Sequence, residues 1–220
     1  MSNNTIKVSV VMGSYNQRHV IDKVLDAFQN QTCQFLFEVI VVDSQSNDGT
    51  KELLNSVVVD YQFRAIIQKN NGKAGARNRG VKEAKGDIII IIDSDMIVDS
   101  NFIEAHYEAH QSSGEQCCFE GCALNMDQLE WPVKNAQLSS QVGKVYPTGK
   151  KLGWYYFLTG NISFPKSLFL EMGGFDESFQ SYGWEDIELG YRLSKKNIPL
   201  YYLKEAINYH YHVLSPAEEI

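Results

Sequence analysis

The feature that most constrains this chain is the stretch Gly86 to Asp99, GDIIIIIDSDMIVD, where five consecutive isoleucines run into three aspartates within seven residues. So short and so β-branched a run suits a strand buried on both faces, the kind found in parallel sheets covered by helices on each side. Asp93 and Asp95 fall where that strand leaves the sheet. In open α/β sheets ligands bind outside the carboxyl ends of the strands. The pair is therefore placed to meet a ligand.

The residues around this strand repeat one unit. IKVSVVMGSYN (Ile6 to Asn16) reads as a strand ending in a polar turn, and Val20, Val24, Leu25 and Phe28 then recur at helical spacing up to about Asn30. FEVIVVDSQSNDGT (Phe37 to Thr50) is a second strand and turn leading into a helix, and FRAIIQ (Phe63 to Gln68) is a third strand. NNGKAGARNRGVKEAKG then passes from a Gly-rich turn into a helix that leads to the isoleucine strand. Such alternation predicts an α/β fold, a Rossmann-like parallel sheet with right-handed crossovers and flanking helices. Three strand ends in it finish in polar residues: Ser14 and Asn16, Asp43 and Ser44, Asp93 and Asp95.

The second half is less regular. It reads as a helix over Ser100 to Gln111, a cysteine-bearing strand over Gln116 to Leu124, and an aromatic, Gly-punctuated loop and strand over Gly149 to Phe164. A helix over Gly183 to Asn197 and two closing strands, IPLYYL and AINYHYHVL, complete it. No Pro-, Gly- and Ser-rich linker divides the halves, so 1–220 is expected to form a single domain, with 1–99 as its nucleotide-binding half.

Composition removes several classes of function. A formal net charge of −7 with no dense Lys/Arg block argues against nucleic acid as a partner. No apolar run approaches the ~18 residues of a membrane span, and the N-terminal MSNNTIKVSVVMGSYN does not resemble a secretion signal. A cytoplasmic protein is expected, with peripheral membrane association through a partner left open. Of the four cysteines, Cys33 stands apart, and Cys117, Cys118 and Cys122 form CCFEGC, which contains no C-x-x-C pair, so buried, reduced thiols on a strand are expected there. GKVYPTGKK (Gly143 to Lys151) superficially suggests a phosphate loop, but Lys151 replaces the required Ser/Thr.

Three clusters carry chemistry. The D-x-D of Asp93 and Asp95 suits a hard cation, because Mg²⁺ or Mn²⁺ binds through one or two carboxylates plus substrate phosphates. Alternation along an extended segment would turn both aspartates to one side and Ser94 away. In YGWEDIELGYRL, Glu185 and Asp186 occupy the first turn of a helix beside Trp184. They are either helix-end chemistry or a general base with its neighbour. In NYHYHV, His210 and His212 alternate on a strand and either one is a structural residue or a metal ligand alongside Asp95.

VSVVMGSYNQ, EVIVVDSQSNDGT, GKAGARNRGVKEAKGDIIIIIDSDM and GGFDESFQSYGWEDIELGYRL, in this order, resemble the family 2 glycosyltransferases of GT-A fold. The last block is further similar to galactosyl- and N-acetylgalactosaminyl-type and chondroitin-polymerase-like transferases. The resemblance implies an inverting, metal-dependent hexosyl- or N-acetylhexosaminyltransferase that uses Mn²⁺ or Mg²⁺. Its donor is a nucleoside-diphosphate sugar, UDP-linked by resemblance, and its acceptor a glycan, lipid-linked or other hydroxyl. It implies that Gly13, Ser14 and Tyr15 contact the nucleoside and that Asp43, with Ser44, lies by the uracil or ribose. Arg77 would contact the base or pyrophosphate, Asp93 the ribose, and Asp95 and His210 the metal. The half from about 100 to 220 would bind the acceptor. Glu185, Trp184 and Trp154 would take part there, the last with Tyr155 and Tyr156 as an apolar platform, and Asp186 would be the base. Many relatives carry a second Asp where this chain has Ser44, which weakens a carboxylate contact to the base. Two alternatives remain: a sugar nucleotidyltransferase, and a non-catalytic nucleotide-sugar or glycan-binding protein on the same scaffold.

Overall fold

The isoleucine strand lies inside one large sheet. The computed structural model describes residues 5–126, 137–138, 145–179 and 183–211. The first half comprises β1 (Val8–Ser14), α1 (Ile21–Phe28), β2 (Phe37–Asp43), α2 (Thr50–Ser56), β3 (Gln62–Ile67), α3 (Gly72–Glu83), β4 (Ile88–Asp93) and β5 (Met96–Val98). The second comprises α4 (Phe102–Ser112), β6 (Cys118–Met126), β7 (Gln137–Leu138), β8 (Lys151–Leu152), a 3₁₀ turn (Trp154–Tyr156), β9 (Ile162–Pro165), α5 (Lys166–Glu171), α6 (Glu185–Lys195) and β10 (Leu200–Tyr211). The strand order is β3-β2-β1-β4-β9-β6-β10-β5, with β7 on β6 and β8 on β10.

β3, β2, β1 and β4 are parallel, as the strand–helix alternation requires. Both faces of β4 are buried. Ile88, Ile90 and Ile92 join the core formed with α1 and α4, whereas Ile89 and Ile91 join the core under α3, α5 and α6. The register sets Ser14 opposite Asp43 and Gly13 opposite Asp93, so three polar strand ends arrive at one edge of the sheet. Helix α3 lies very close to β1: a Cβ on Gly80 would stand 2.4 Å from a Val11 methyl. This close approach fixes the height at which α3 carries Lys73 and Arg77 to the same edge.

The two closing strands are in fact one. β10 is continuous from Leu200 to Tyr211, and Lys204, Glu205 and Ala206 are extra residues between the pairs Leu203–Gly121 and Ile207–Cys122. A polar interruption that reads in sequence as a loop is thus a bulge within a strand. Beyond it, β10 pairs antiparallel with β5, with His210 opposite Met96. Cys117, Cys118 and Cys122 are buried free thiols, as expected. Among the described residues no helix is long and apolar enough to cross a membrane.

A directional polar network runs through the interior between α4, β9 and β10. The Asn161 amide nitrogen donates to the Ala206 carbonyl at 2.9 Å and to Asn208 Oδ1 at 3.0 Å, which leaves Asn161 Oδ1 as an acceptor for His106 Nε2 at 3.0 Å. His106 therefore carries its proton on Nε2, and its Nδ1 accepts from the Ser163 hydroxyl at 2.8 Å. Ser163 in turn accepts from His110 Nε2 at 2.9 Å. Burial pushes the imidazole of His106 down to about 4 and that of His110 to about 3. The sign follows directly. Above pH ~6.5 both folded and unfolded chains hold these rings neutral; below it the unfolded chain takes up protons that the folded one refuses. Stability is therefore expected to fall as the pH drops from ~6.5 toward 4, by about 3 kcal/mol for His106 alone. Urea denaturation at several pH values, with His106→Gln as the comparison, measures this: the variant should lose part of the slope.

Candidate active site

Two adjoining cavities open at the polar edge. The first, of ≈ 340 Å³, is bounded by Gly13, Ser14, Tyr15 and Gln17 after β1, Ser44 after β2, the start of α3 including Lys73, and Asp93, Ser94 and Asp95 after β4. Strand ends that diverge around a parallel sheet create such a crevice, since β1 is flanked by β2 on one side and β4 on the other. The loops that line it are stitched together. The backbone N–H of Asn16 donates to Ser46 Oγ at 2.8 Å, that of Gln17 to Thr50 Oγ1 at 2.9 Å, and that of Arg18 to Asp48 at 2.9 Å. Four side-chain polar atoms among the described residues are buried without a hydrogen bond, and three of them belong to this cavity: Ser14 Oγ, Gln17 Oε1 and Asp95 Oδ1. Orphaned polar atoms gathered in one place mark groups awaiting a ligand.

The structure revises the geometry expected of several residues here. β4 ends at Asp93, and Ser94 and Asp95 form the turn into β5. The extended alternation therefore stops one residue early, and Ser94 lines the cavity beside both aspartates instead of turning away. Asp43 is fully buried, and both of its oxygens accept from Ser46, one from the N–H at 2.9 Å and the other from the hydroxyl. Its carboxylate braces the turn after β2, and Ser44 is the residue from that turn that faces the cavity. Tyr15 stands half-exposed at the mouth.

Asp95 and His210 meet because β5 and β10 pair. The Tyr211 N–H donates to the Asp95 carbonyl at 3.0 Å, and His210 Nε2 lies 3.3 Å from Asp95 Oδ2. That hydrogen bond holds the His210 imidazole above its ordinary value, against the effect of burial. The donor set fits Mn²⁺ or Mg²⁺: a buried carboxylate oxygen with no partner, an imidazole beside it, and an adjoining cavity for phosphate oxygens. Among the described residues no group of three or more His, Cys, Asp and Glu side chains converges, so donor phosphates and water would complete the shell. His212 lies outside the described residues.

The second cavity, of ≈ 630 Å³, shares Lys73 and Asp93 with the first and extends past Arg77, Tyr155, Tyr156, Thr159 and Gly160 to Trp184, Glu185 and Asp186. Gly183 (φ 86°) and Trp184 (φ 80°) are both left-handed. This is a costly conformation for tryptophan, and it starts α6 with its acidic turn inside while Trp184 stays 65% exposed at the rim. Asp186 Oδ2 lies 3.4 Å from the Thr159 hydroxyl and 3.5 Å from its N–H, and Oδ1 accepts from the Ile187 N–H at 2.8 Å. Among the described residues no cation pairs with it, which suits a base. Trp154 is a correction. It lines a separate ≈ 250 Å³ hollow behind the 3₁₀ turn and packs on Tyr191 with ring centroids 5.4 Å apart, while Tyr155 and Tyr156 face the cleft. At three residues per turn, successive side chains point about 120° apart, so the three rings cannot all share one wall.

Arg77 and Glu185 differ most from their expected roles. The Arg77 side chain is only 2% exposed; one nitrogen meets Asp93 Oδ1 and another Glu185 Oε1, each at 2.6 Å. The guanidinium thus ties the end of β4 to the start of α6. Glu185, also buried, is likewise committed to this clamp. Burial opposes ionisation of Asp93, but the Arg77 and Lys73 cations beside it prevail and hold its carboxyl below the usual range.

Sequence reasoning missed Gln17, Lys73, Thr159 and Glu120. Lys73 had a signal, since it precedes Arg77 by four residues on one helix and so shares its face. Glu120, alone among apolar neighbours in CCFEGC, accepts from the Leu158 N–H at 3.2 Å under the floor of the second cavity. Burial pushes its carboxyl well up.

This arrangement has relatives. Residues 142–215 match a family described as the N-terminal domain of galactosyltransferase. The chain is 27% identical over 90% of its length to a validoxylamine A glucosyltransferase of Streptomyces hygroscopicus subsp. jinggangensis. It is 26% identical over 94% of its length to the chondroitin synthase of Pasteurella multocida. It spans 54% of the first and 25% of the second, about half or less of these relatives. Among solved structures, GalNAc-T7 with UDP, GalNAc and Mn²⁺ superposes with a TM-score of 0.77 at 18% identity, covering 96% of this chain and 44% of that one. The shared architecture is the GT-A fold. With Glycosyl transferase family 2 matching residues 9–163, the stretch that holds the polar strand ends and α3, the chain belongs to that family.

Proposed function

We propose that this chain is an inverting glycosyltransferase that moves a hexosyl or N-acetylhexosaminyl group from a UDP-sugar to an acceptor hydroxyl, with Mn²⁺ or Mg²⁺ as cofactor. The observation that carries the reading is the shared wall. Lys73 and Asp93 border both cavities, so a donor seated in the smaller one would place its sugar in the larger, within the compartment that holds Asp186. GalNAc-T7, with UDP, GalNAc and Mn²⁺ in its structure, supports the same choice of donor and ion.

Each residue then has a task. Gly13, Ser14, Tyr15 and Ser44 surround the nucleoside, and Asp93 faces the ribose from the boundary between the cavities. Asp95 and His210 would hold the cation, which when bound would supply charge neutralisation for a departing diphosphate. Lys73, on the same boundary, adds a second positive charge. Asp186 takes the proton of the acceptor hydroxyl as that oxygen bonds to the anomeric carbon from the face opposite the diphosphate, and one displacement inverts the configuration. Tyr155, Tyr156 and Trp184 offer apolar ring faces to sugars. Arg77 and Glu185 act indirectly by holding the walls in register.

Calorimetric titration with UDP and GDP, with and without Mn²⁺, on wild type and Asp95→Ala tests the donor half of this reading. The expected result is metal-dependent binding of UDP that Asp95→Ala abolishes. An absence of binding to either nucleotide under both conditions would sink the proposal and favour a degenerate scaffold.

A further inference from the structure

We infer that Gln17 reads the nucleobase of the donor, its side-chain oxygen accepting the N3–H of uracil. The inference rests on the donor-site reading above and concerns one residue of that site. The backbone of Gln17 is fully engaged. Its N–H donates to Thr50 Oγ1 at 2.9 Å, and its carbonyl accepts from Val20 at 3.1 Å and Ile21 at 2.9 Å, which anchors it to the starts of α1 and α2. Its amide oxygen, by contrast, is buried and unbonded, in a residue that lines the donor cavity. A buried acceptor left without a donor is costly, so the site gains when a ligand N–H fills the gap.

The remaining groups narrow which N–H this is. Asp43 is spent on Ser46, Ser44 brings no carboxylate, and Asp95 is paired with His210. The uracil edge presents an N–H between two carbonyl oxygens. Ser14 Oγ, the other orphan at the end of β1, is a hydroxyl able to donate to one of those carbonyls. Cytosine presents a lone pair at N3 instead, which would face the Gln17 oxygen without a proton between them. The geometry points to discrimination between the two pyrimidines by an amide, in a place where the turn carboxylate is committed elsewhere.

Titration of wild type with UDP and CDP in the presence of Mn²⁺ reads the effect. UDP should bind about tenfold or more tighter than CDP, the scale of one buried hydrogen bond with its partner stranded. In Gln17→Met, which keeps the shape and removes the acceptor, that preference should collapse toward unity through weaker UDP binding. Gln17→Glu keeps an acceptor and should keep the preference. Thermal melting checks that the variants are folded, and Gln17→Leu replaces Gln17→Met if the latter is not. Equal binding of UDP and CDP by wild type, or an undiminished preference in the apolar variant, overturns the inference and leaves the donor-site reading intact. Loss of the preference in Gln17→Glu as well would overturn the acceptor assignment. Failure of wild type to bind either nucleotide is instead the failure of the donor-site reading, and takes the inference with it.

Discussion

Asp186→Asn is expected to lower turnover by about 10²–10⁴-fold, the usual contribution of a positioned general base, while leaving metal-dependent UDP binding unchanged. The substitution keeps the size of the side chain and the oxygen that accepts from the Ile187 N–H, so α6 should still start at the same place. What it removes is the capacity to take a proton. Asp186 is suited to that task because among the described residues its oxygens meet neutral donors, from Thr159 and its own helix, while the nearby guanidinium is held by Asp93 and Glu185. Release of UDP from UDP-hexoses and UDP-N-acetylhexosamines in the presence of oligosaccharide acceptors gives the turnover, and calorimetry gives the binding. Undiminished turnover in the variant would remove Asp186 from the mechanism. A wild type that binds UDP-sugar but turns over no acceptor would instead point to a binding protein on this scaffold.

The second large effect is on stability. Arg77→Met should destabilise the fold by about 3–5 kcal/mol, because it leaves the Asp93 and Glu185 carboxylates at a buried junction without their cation. The pair is poorly served by water: Glu185 is 4% exposed at its side chain, and Asp93 30%. Arg77→Lys should recover little, since a single ammonium cannot reproduce a fork that reaches two carboxylates at 2.6 Å each. Arg77→Met combined with Glu185→Leu should recover a substantial part, as removing both charges of a buried pair is far less harmful than removing one. Urea denaturation of the four proteins measures this. If Arg77→Met is as stable as wild type, the clamp is not what joins β4 to α6.

The two effects concern one piece of design. The proposed donor cavity belongs to the strand ends of the first half, and the proposed base to a helix of the second half. Arg77 spans that gap directly, bonding Glu185 at a separation of 108 residues. A glycosyl transfer needs its leaving group and its base on opposite sides of one carbon, so the distance between the two cavities has to be held. A buried, bidentate guanidinium is a stiff way to hold it.

Much of this was open to a reading of the residues alone. The isoleucine run, the strand–helix alternation and the polar strand ends are local patterns, and each followed from side-chain periodicity. Lys73, four residues before Arg77 on one helix, was also within reach. The failures share a cause. Ser94 was expected to point away from its neighbours, but the strand stops at Asp93. Trp154 was grouped with Tyr155 and Tyr156, but a 3₁₀ turn cannot send all three rings to one wall. Two closing strands were expected where a bulge keeps one strand continuous.

The sequence by itself therefore determined the parallel half of the sheet, the edge at which the polar strand ends gather and the residue types found there, because hydrophobic period and chain direction are written in neighbouring residues. Only the tertiary structure decided that Arg77 would tie two carboxylates together and that Asp43 would turn inward to Ser46. Those outcomes depend on strand register and on the rotation of α3 and α6 against the sheet. A shift of one residue in register would send each side chain to the opposite face, and register is set by the packing of the whole domain.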